Sequence, residues 1–252
     1  AGQGHPIIML HGTGPGATGW SNFYPNLGPL SKNFRAIAMT FPGWGDSSEH
    51  KPSAEGRSKD NARAVLALMD SLGLQKAALV GNSMGGAATI QFAADYPDRL
   101  SHLITMGAGS PGVNIIQPAG LSEGLTIIRE TYEDPSPENF RRLVRVMVYD
   151  ASFVTDDLLK ARSDAALANR THLANWLAPS PVVPVDLAKL QASSFSLRIE
   201  PVNLGQLAVV AVQGFEPDAA ERTVRCAQEP ALGRRGLSHR CGRRGGHPSA
   251  SR

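Results

Sequence analysis

Cysteine is almost absent from this chain, which has two in 252 residues, Cys226 and Cys241. Two cysteines so placed supply neither the paired spacing of a zinc site nor a disulfide framework, so a small domain held together in either way is excluded. No apolar run approaches the about 18 residues of a membrane-spanning helix, and no signal peptide is visible. We therefore expect a cytoplasmic protein with no membrane partner.

Lysine and acidic residues are scarce at one end of the chain. Between residues 221 and 252 there are eight arginines, two glutamates and no lysine, a net charge of +6, whereas the whole chain carries only +3. The basic character therefore belongs to the tail. A basic tail can bind nucleic acid, but this one has no interleaved aromatic residues and no recognisable binding signature, so we expect no nucleic-acid partner.

What the chain does contain is a serine flanked by glycines. Residues 81–85 read Gly-Asn-Ser-Met-Gly and directly follow the apolar run 77–80. This spacing places Ser83 on a strained turn between a strand and a helix, with glycines where a Cβ would clash. The five residues alone occur often by chance, but a strand before them, a helix after them and a second motif upstream make Ser83 a candidate nucleophile.

That second motif is the glycine-rich stretch 11–16, His-Gly-Thr-Gly-Pro-Gly, which follows the apolar run 7–10. A glycine-rich loop leaving a buried strand can direct main-chain N–H groups at a developing oxyanion, as acyl transfer requires. The alternatives are a plain turn and a phosphate-binding loop, although a phosphate loop would need a Gly-Lys-Ser/Thr sequence. We favour an oxyanion loop paired with the turn at Ser83.

Apolar runs and amphipathic stretches alternate along the first part of the chain. Short apolar runs are typical of buried parallel strands, and they occur at residues 7–10, 36–39, 77–80 and 102–106. The amphipathic stretch 61–72 predicts a helix that ends at Gly73. The alternation predicts an α/β fold, a parallel sheet with helices on both faces.

The pattern changes to helices alone between residues 111 and 181. Ser136 and Thr155 are good helix N-caps, and an apolar stripe runs from Phe140 to Met147. Met147 is a candidate wall residue for a pocket, although a methionine on such a stripe is more often plain core. The segment has the character of an inserted helical lid.

Three segments together resemble the meta-cleavage-product hydrolases, α/β-hydrolases that split a carbon–carbon bond in the dienol products of aromatic ring cleavage. The segments are residues 11–22, residues 42–47 (Pro-Gly-Trp-Gly-Asp-Ser) and residues 81–86, and the likeness runs from the first residue to about Ala192. It implies an α/β-hydrolase fold and a serine-dependent enzyme of aromatic compound degradation. The implied substrate is a small 2-hydroxy-6-oxohexa-2,4-dienoate, cleaved to 2-hydroxypenta-2,4-dienoate and a carboxylic acid, with no metal and no cofactor.

The resemblance also assigns roles to individual residues. It implies that the main-chain N–H groups of Thr13 and Met84 form the oxyanion hole and that Arg162 binds the substrate carboxylate, a task suited to its planar, charged fork. Further substrate-binding positions are Gly14, Asn22 and Asn82. The alternatives are a surface arginine and, for the asparagines, turn and cap chemistry. His11 is interpreted as a loop-shaping residue, because the catalytic histidine of this fold follows the serine.

The resemblance divides the chain into a core at 1–110, a lid at 111–181 and the remainder of the core at 182–252. The family has an N-terminal pair of strands before this core, so we expect those strands to be missing. Where the family's acid-bearing strand should stand, residues 194–200 alternate apolar and polar residues, which is typical of a half-exposed strand rather than a central one.

The family's catalytic aspartate and histidine have no match at their usual places. Asp218 with His247 or His239 is a weak substitute, because too few residues follow either histidine for the family's C-terminal helix. The other interpretation is that residues from about Ser193 onward are an out-of-frame tail, since arginine, glycine, proline and alanine dominate there and lysine is absent after Lys189.

Three functions therefore stay open: a carbon–carbon hydrolase, a serine esterase-like hydrolase on the same fold, and an inactive chain that lacks the catalytic aspartate and histidine. The esterase would be indifferent to replacement of Arg162. The group at C6 of the substrate is not determined by the sequence. The oligomeric state is also left open, a homo-oligomer included.

Overall fold

The computed structural model describes residues 1–108, 122–181, 183–186 and 188–189, together with the backbone of two short strands. Four strands form a parallel sheet in the order β2-β1-β3-β4: β1 His5–Leu10, β2 Phe34–Met39, β3 Ala77–Asn82 and β4 Leu100–Met106. In the centre, Ile8 of β1 lies opposite Ile37 on one side and Leu79 on the other. Each strand contains one of the four apolar runs, so the predicted parallel sheet is confirmed.

Helices cover both faces of this sheet. Helices α2 (Arg57–Ser71) and α3 (Met84–Asp95) pack on the face that receives Ile8 and Leu10, while α1 (Gly19–Ser31) packs on the face that receives Ile7 and Met9. Because neighbouring side chains on a strand point to opposite faces, both faces must be apolar. The unbroken apolar runs of β1 and β3 follow from this double coverage.

The helix ends also follow the sequence. Gly73, with φ +67°, follows the end of α2, and its N–H donates to the Asp70 carbonyl at 3.1 Å. Only glycine takes this left-handed conformation without strain. A short 3-10 turn, Pro97–Arg99, leads from α3 into β4.

Between residues 122 and 181 the described elements are all helices: α4 Glu123–Glu133, α5 Pro137–Met147, α6 Asp156–Leu167 and α7 Arg170–Leu177. The Ser136 and Thr155 side chains accept the main-chain N–H groups of Asn139 and Leu158, so both predicted N-caps are confirmed. These helices enclose a small core of their own, made of Ile128, Tyr132, Phe140, Leu159, Ala166 and Leu173. Their arrangement is that of a helical layer added to the sheet; the division into core and lid stays a proposal.

The apolar stripe of α5 is buried only at its beginning. Phe140 is 3% exposed, whereas Met147, the last residue of the helix, is 60% exposed. Phe140 and Leu143, in the first part of the stripe, pack in the small core with residues of α4 and α6. The interpretations of Met147 as core or as a pocket wall therefore have no support in the described residues.

A pair of antiparallel strands follows the helices, β5 (Phe195–Ile199) and β6 (Val210–Gly214), with Leu197 opposite Val212. β5 lies where the alternating pattern of residues 194–200 predicts a strand, and neither strand is hydrogen-bonded to the parallel sheet. Asp218, His239, His247 and the basic tail lie outside the described residues. Within the parts of the chain that are described, no helix is long and apolar enough to cross a bilayer.

Candidate active site

Ser83 occupies the single residue between the end of β3 and the start of α3. Its φ and ψ are 49° and −110°, and among the described residues it is the only non-glycine residue with a positive φ. A conformation of this kind costs about 1–3 kcal/mol and is held by its surroundings. Here the Ser83 N–H donates to the Met106 carbonyl of β4 at 2.8 Å. The Ser83 side chain does not cap α3, although serine commonly does so at this position.

The glycines around Ser83 allow the helix to start tightly against the sheet. A Cβ on Gly81 would lie 2.5 Å from the Gly86 nitrogen, and a Cβ on Gly85 would lie 2.6 Å from the carbonyl carbon of Leu10. Both distances are below any real contact of a Cβ, and the obstructing atoms are main chain, which cannot move aside. The Gly-x-Ser-x-Gly spacing is therefore a packing requirement of this turn.

The glycine-rich loop 11–16 begins beside the serine. A Cβ on Gly12 would lie 3.3 Å from the Cβ of Ser83 and 3.0 Å from Nδ2 of Asn82. The two motifs, far apart in the sequence, thus meet at the carboxyl ends of the neighbouring strands β1 and β3. Among the described residues, the main-chain N–H groups of Thr13 and Met84 have no hydrogen-bond acceptor. Their predicted role in an oxyanion hole stays a prediction, and their position next to Ser83 favours it.

Asn22 and Asn82 are brought together by the same meeting of loop and turn. The Gly12 N–H donates to Oδ1 of Asn22 at 3.2 Å, and Nδ2 of Asn82 lies 3.5 Å from the same oxygen. Asn22 therefore braces the loop against the first turn of α1 and the end of β3. Whether either side chain also contacts substrate stays a prediction; the contacts seen are those of a structural brace.

His11 is fixed on both sides of its ring. Its Nε2 accepts the Phe41 N–H at 3.1 Å, so Nδ1 carries the proton and donates to the Gly12 carbonyl at 2.9 Å. The side chain is fully buried, and this burial lowers its pKa to about 4. Since neither nitrogen is available to take a proton from Ser83, His11 shapes the loop and is not a general base.

The other histidines of the described residues have partners or places of their own. His5 and His102 both contact the Ser101 hydroxyl, His50 pairs with Asp60 at 3.2 Å, and His172 of α7 is buried. None of them is hydrogen-bonded to Ser83. The two remaining histidines, His239 and His247, lie outside the described residues, so their pairing with Asp218 stays a prediction.

Arg162 lies half-buried on α6, one turn before Ala166 on the same face of the helix. Burial lowers the pKa of its guanidinium, and no carboxylate of the described residues lies within 4.0 Å of it. The same face rests on the glycine-rich loop: Gly16 has φ +65°, and a Cβ there would lie 2.6 Å from the Ala166 nitrogen. A partly desolvated guanidinium without a counter-charge is costly, and an anion bound beside it would relieve that cost.

A buried aromatic group behind the loop is not predicted from the sequence. Tyr132 of α4 stacks on Trp176 of α7, and the His172 ring lies between Tyr132 and Trp44, with ring centroids 5.4 Å and 4.6 Å away. The guanidinium of Arg57 lies over the Trp44 ring, 5.4 Å from its centroid. Trp44 belongs to a motif that carries the family resemblance, but no sequence pattern links it to the distant helices α4 and α7.

Comparison with known proteins agrees with this geometry. A sequence profile described as alpha/beta hydrolase fold matches residues 5–150. A 2-hydroxy-6-oxo-6-phenylhexa-2,4-dienoate hydrolase of Comamonas testosteroni is 43% identical over 186 residues, which are 73% of this chain and 64% of that protein. A 2-hydroxy-6-oxononadienedioate/2-hydroxy-6-oxononatrienedioate hydrolase of Paraburkholderia phymatum is 41% identical over 172 residues, 68% of this chain and 59% of that protein.

Solved structures lead to the same group. The meta-cleavage product hydrolase of Pseudomonas fluorescens IP01 superposes with a TM-score of 0.61 at 32% identity, covering 71% of this chain and 63% of that one. The 2-hydroxy-6-oxo-6-phenylhexa-2,4-dienoate hydrolase of Rhodococcus sp. strain RHA1 gives a TM-score of 0.59 at 25% identity, covering 82% and 71%.

The chain belongs to the α/β-hydrolase fold family. Within that family its relatives are the meta-cleavage product hydrolases, and the resemblance inferred from its motifs is confirmed. The chain spans 64% of the length of the Comamonas relative, so what the relatives do is carried over to it only as a proposal.

Proposed function

We propose that this chain carries the nucleophile and the substrate-carboxylate site of a serine-dependent carbon–carbon hydrolase. The substrate class is a 2-hydroxy-6-oxohexa-2,4-dienoate, the class that names the curated relatives. The observation that carries the proposal is the conformation of Ser83. This serine has a strained backbone at the start of a helix that its side chain does not cap, and it lies beside the glycine-rich loop at Gly12. A hydroxyl placed in this way suits nucleophilic attack on a carbonyl.

Substrate binding in this proposal depends on Arg162. Its guanidinium is partly desolvated and has no carboxylate partner among the described residues, so a substrate carboxylate would meet little competition there. Ketonisation of the bound dienol moves the enol proton from the C2 oxygen to C5 and leaves a C2 ketone conjugated with the C3–C4 double bond. This conjugated ketone accepts the electron pair when the C5–C6 bond breaks. The small-molecule partner is thus selected by its charge at one end and its ketone at the other.

In the cleavage step of a complete enzyme of this kind, the Ser83 oxygen attacks the C6 ketone and a histidine base takes the hydroxyl proton, a base for which His239 and His247 are only weak candidates in this chain. The negative charge on the ketone oxygen is received by the main-chain N–H groups of Thr13 and Met84, each such donor contributing about 3 kcal/mol in comparable sites. The carbon–carbon bond then breaks, giving a 2-hydroxypenta-2,4-dienoate and an acyl group that water releases as a carboxylic acid. A water molecule oriented by Ser83 is the alternative nucleophile.

The test is hydrolysis of 2-hydroxy-6-oxo-6-phenylhexa-2,4-dienoate by the expressed chain, followed as loss of its visible absorbance with benzoate identified as product. We expect the wild type to cleave it and Ser83→Ala to lose essentially all activity, a fall of about a thousandfold or more. Arg162→Met should raise KM for the dienoate and leave hydrolysis of the neutral p-nitrophenyl acetate unchanged. Arg129→Met, at an exposed arginine of α4 paired with Glu133, is the matched control.

Each other outcome has a meaning. Hydrolysis of the neutral ester alone, with Arg162→Met behaving as the wild type, would favour the esterase. Absence of turnover on both substrates by the folded wild type would contradict the proposal and favour the inactive chain. Localisation in the cytoplasm and the absence of a nucleic-acid partner accompany the proposal as expectations.

A further inference from the structure

Tyr132 is a buried residue of α4 that the proposed mechanism does not use. Its side chain is 1% exposed, its ring stacks on Trp176 with centroids 3.8 Å apart and planes 5° apart, and it meets the His172 ring edge-on at 5.4 Å. Rings packed in this way on two sides cannot turn aside without opening the core between α4 and α7. The position of the Tyr132 hydroxyl is therefore fixed by the helices of the added layer.

That hydroxyl ends at the glycine-rich loop. It lies 3.4 Å from Oγ1 of Thr13, at the long end for a hydroxyl pair, and close to the main chain of Gly14. Burial raises the pKa of Tyr132, and its contacts with the Thr13 side chain, the Trp44 side chain and the Gly14 main chain act in the opposite direction. The group stays a neutral hydroxyl, able both to donate and to accept at the two residues that follow Gly12.

His172 of α7 lies close to Gly14 of the glycine-rich loop. Burial lowers its pKa to about 4, and the Gly14 and Gly43 carbonyls lie close enough to oppose this shift. Its Nε2 nevertheless has no well-formed hydrogen bond among the described residues. The ring therefore acts as a neutral packing group that holds Tyr132 and Trp44 in place, and the polar contact to the loop comes mainly from Tyr132.

We infer that Tyr132 is a positioning residue for the oxyanion loop: its hydroxyl holds residues 13 and 14 so that the Thr13 N–H stays directed toward the substrate oxygen. This inference rests on the proposed function. A loop of glycines has many backbone conformations, and donors help a transition state only when they are already oriented. The packing of the helical layer thereby determines the geometry of the oxyanion hole.

Hydrogen exchange tests the positioning without any need for turnover. In the full chain, Tyr132→Phe removes the hydroxyl and keeps the ring stacked on Trp176. Main-chain amides of residues 11–14 and 16 (Pro15 has no N–H) should then exchange about fivefold faster, as expected for the loss of one neutral hydrogen bond, while those of β3 and α3 are unchanged. Tyr149→Phe, at a fully exposed tyrosine, is the matched control and should change nothing. Unchanged exchange at 11–16 in Tyr132→Phe would overturn the inference.

A pair of probes tests the consequence for the oxyanion. When phenylboronic acid binds, the Ser83 oxygen bonds to boron and the serine hydroxyl releases its proton, which gives a tetrahedral anion. Benzoate is a planar carboxylate of similar size. By calorimetry, Tyr132→Phe should weaken the boronate about fivefold and change benzoate by less than about twofold, because only the tetrahedral anion needs the oriented donors. Equal weakening of both probes, or of neither, would contradict the inference.

The two proposals fail in different ways. A wild type that binds benzoate but not the boronate would contradict the nucleophilic role of Ser83, while faster exchange at residues 11–16 in Tyr132→Phe would still support the hold on the loop. A boronate that binds the wild type and Tyr132→Phe equally well would leave the proposed function standing and remove the role of Tyr132.

Discussion

Gly85, in the first turn of α3, lies directly against the main-chain carbonyl of Leu10 at the end of β1. A Cβ on Gly85 would lie 2.6 Å from the carbonyl carbon of Leu10 and 2.9 Å from the carbonyl oxygen of His11. The helix that follows Ser83 and the strand that leads into the glycine-rich loop are thus packed backbone to backbone. The distance between the nucleophile and the loop is determined by this contact.

Replacing Gly85 should therefore separate the two motifs. We expect Gly85→Ala to lower the free energy of unfolding by about 3 kcal/mol or more, because the added methyl group meets main chain on the strand. Urea unfolding measures this. Gly124→Ala is the matched control: apart from its own helix, no atom of the described residues lies within 4 Å of its Cβ position in α4, and alanine in a helix is favoured by up to about 1 kcal/mol. Equal stability of the two variants would contradict the packing described.

The strained backbone at Ser83 should lower the stability of the fold, and the serine should be required for activity. Glycine adopts a positive φ freely, so Ser83→Gly is expected to raise the free energy of unfolding by about 1 kcal/mol, whereas Ser83→Ala keeps the strain and should leave it nearly unchanged. Both variants should be inactive. Thermal unfolding of the three proteins distinguishes them, and a Ser83→Gly protein less stable than Ser83→Ala would contradict a strained turn.

The elements closest to the chemistry are those best predicted from the sequence. The four apolar runs predict the four strands, and Gly81 and Gly85 predict the turn at Ser83. These features can be predicted because they depend on local conformation and on packing against neighbouring backbone. Met147 shows the limit of periodicity: it lies on an apolar stripe, but at the end of α5 its side chain is 60% exposed.

Contacts between distant side chains could not be predicted in the same way. Tyr132 meets Thr13 across 119 positions, and nothing in either local sequence indicates the pairing. The brace at Asn22 is similar, because asparagine at a helix start is common for local reasons. Such contacts depend on where the helical layer packs on the sheet, and this position is determined by the whole fold.

Loss of the brace at Asn22 should loosen the loop. Asn22→Ala leaves the Gly12 N–H without its acceptor, and we expect a loss of about 1–2 kcal/mol in the free energy of unfolding. Asn82→Ala removes a longer contact, 3.5 Å, and should cost less. Urea titrations of both variants give the comparison. A larger loss for Asn82→Ala would show that the amide of Asn82 carries the contact.

Two buried histidines should make the fold sensitive to acid. His11 and His172 have pKa values lowered to about 4 by burial, against about 6.5 in an unfolded chain, so below pH 6.5 the unfolded state binds more protons than the folded state. Their contribution is constant above about pH 7. As pH falls from 6.5 toward 4, each is expected to cost up to about 1.4 kcal/mol per pH unit.

His172→Phe isolates one of the two histidines. Phenylalanine keeps a ring between Tyr132 and Trp44 and removes the proton-binding group, so the variant should unfold at nearly the wild-type urea concentration at pH 7.5 and lose less stability than the wild type at pH 5. Urea midpoints at the two pH values decide it. An identical pH dependence in both proteins would show that His172 does not titrate in this range.

The nucleophilic character of Ser83 is the claim on which the functional account depends, and covalent labelling by an alkyl fluorophosphonate tests it most directly. In that reaction the serine oxygen bonds to phosphorus, fluoride leaves and the hydroxyl proton is lost. Mass spectrometry of the digested wild-type chain should find the phosphonyl group on Ser83 alone, and Ser83→Ala should take up none. Labelling at another residue, or a wild type that reacts no faster than Ser83→Ala, would contradict the account.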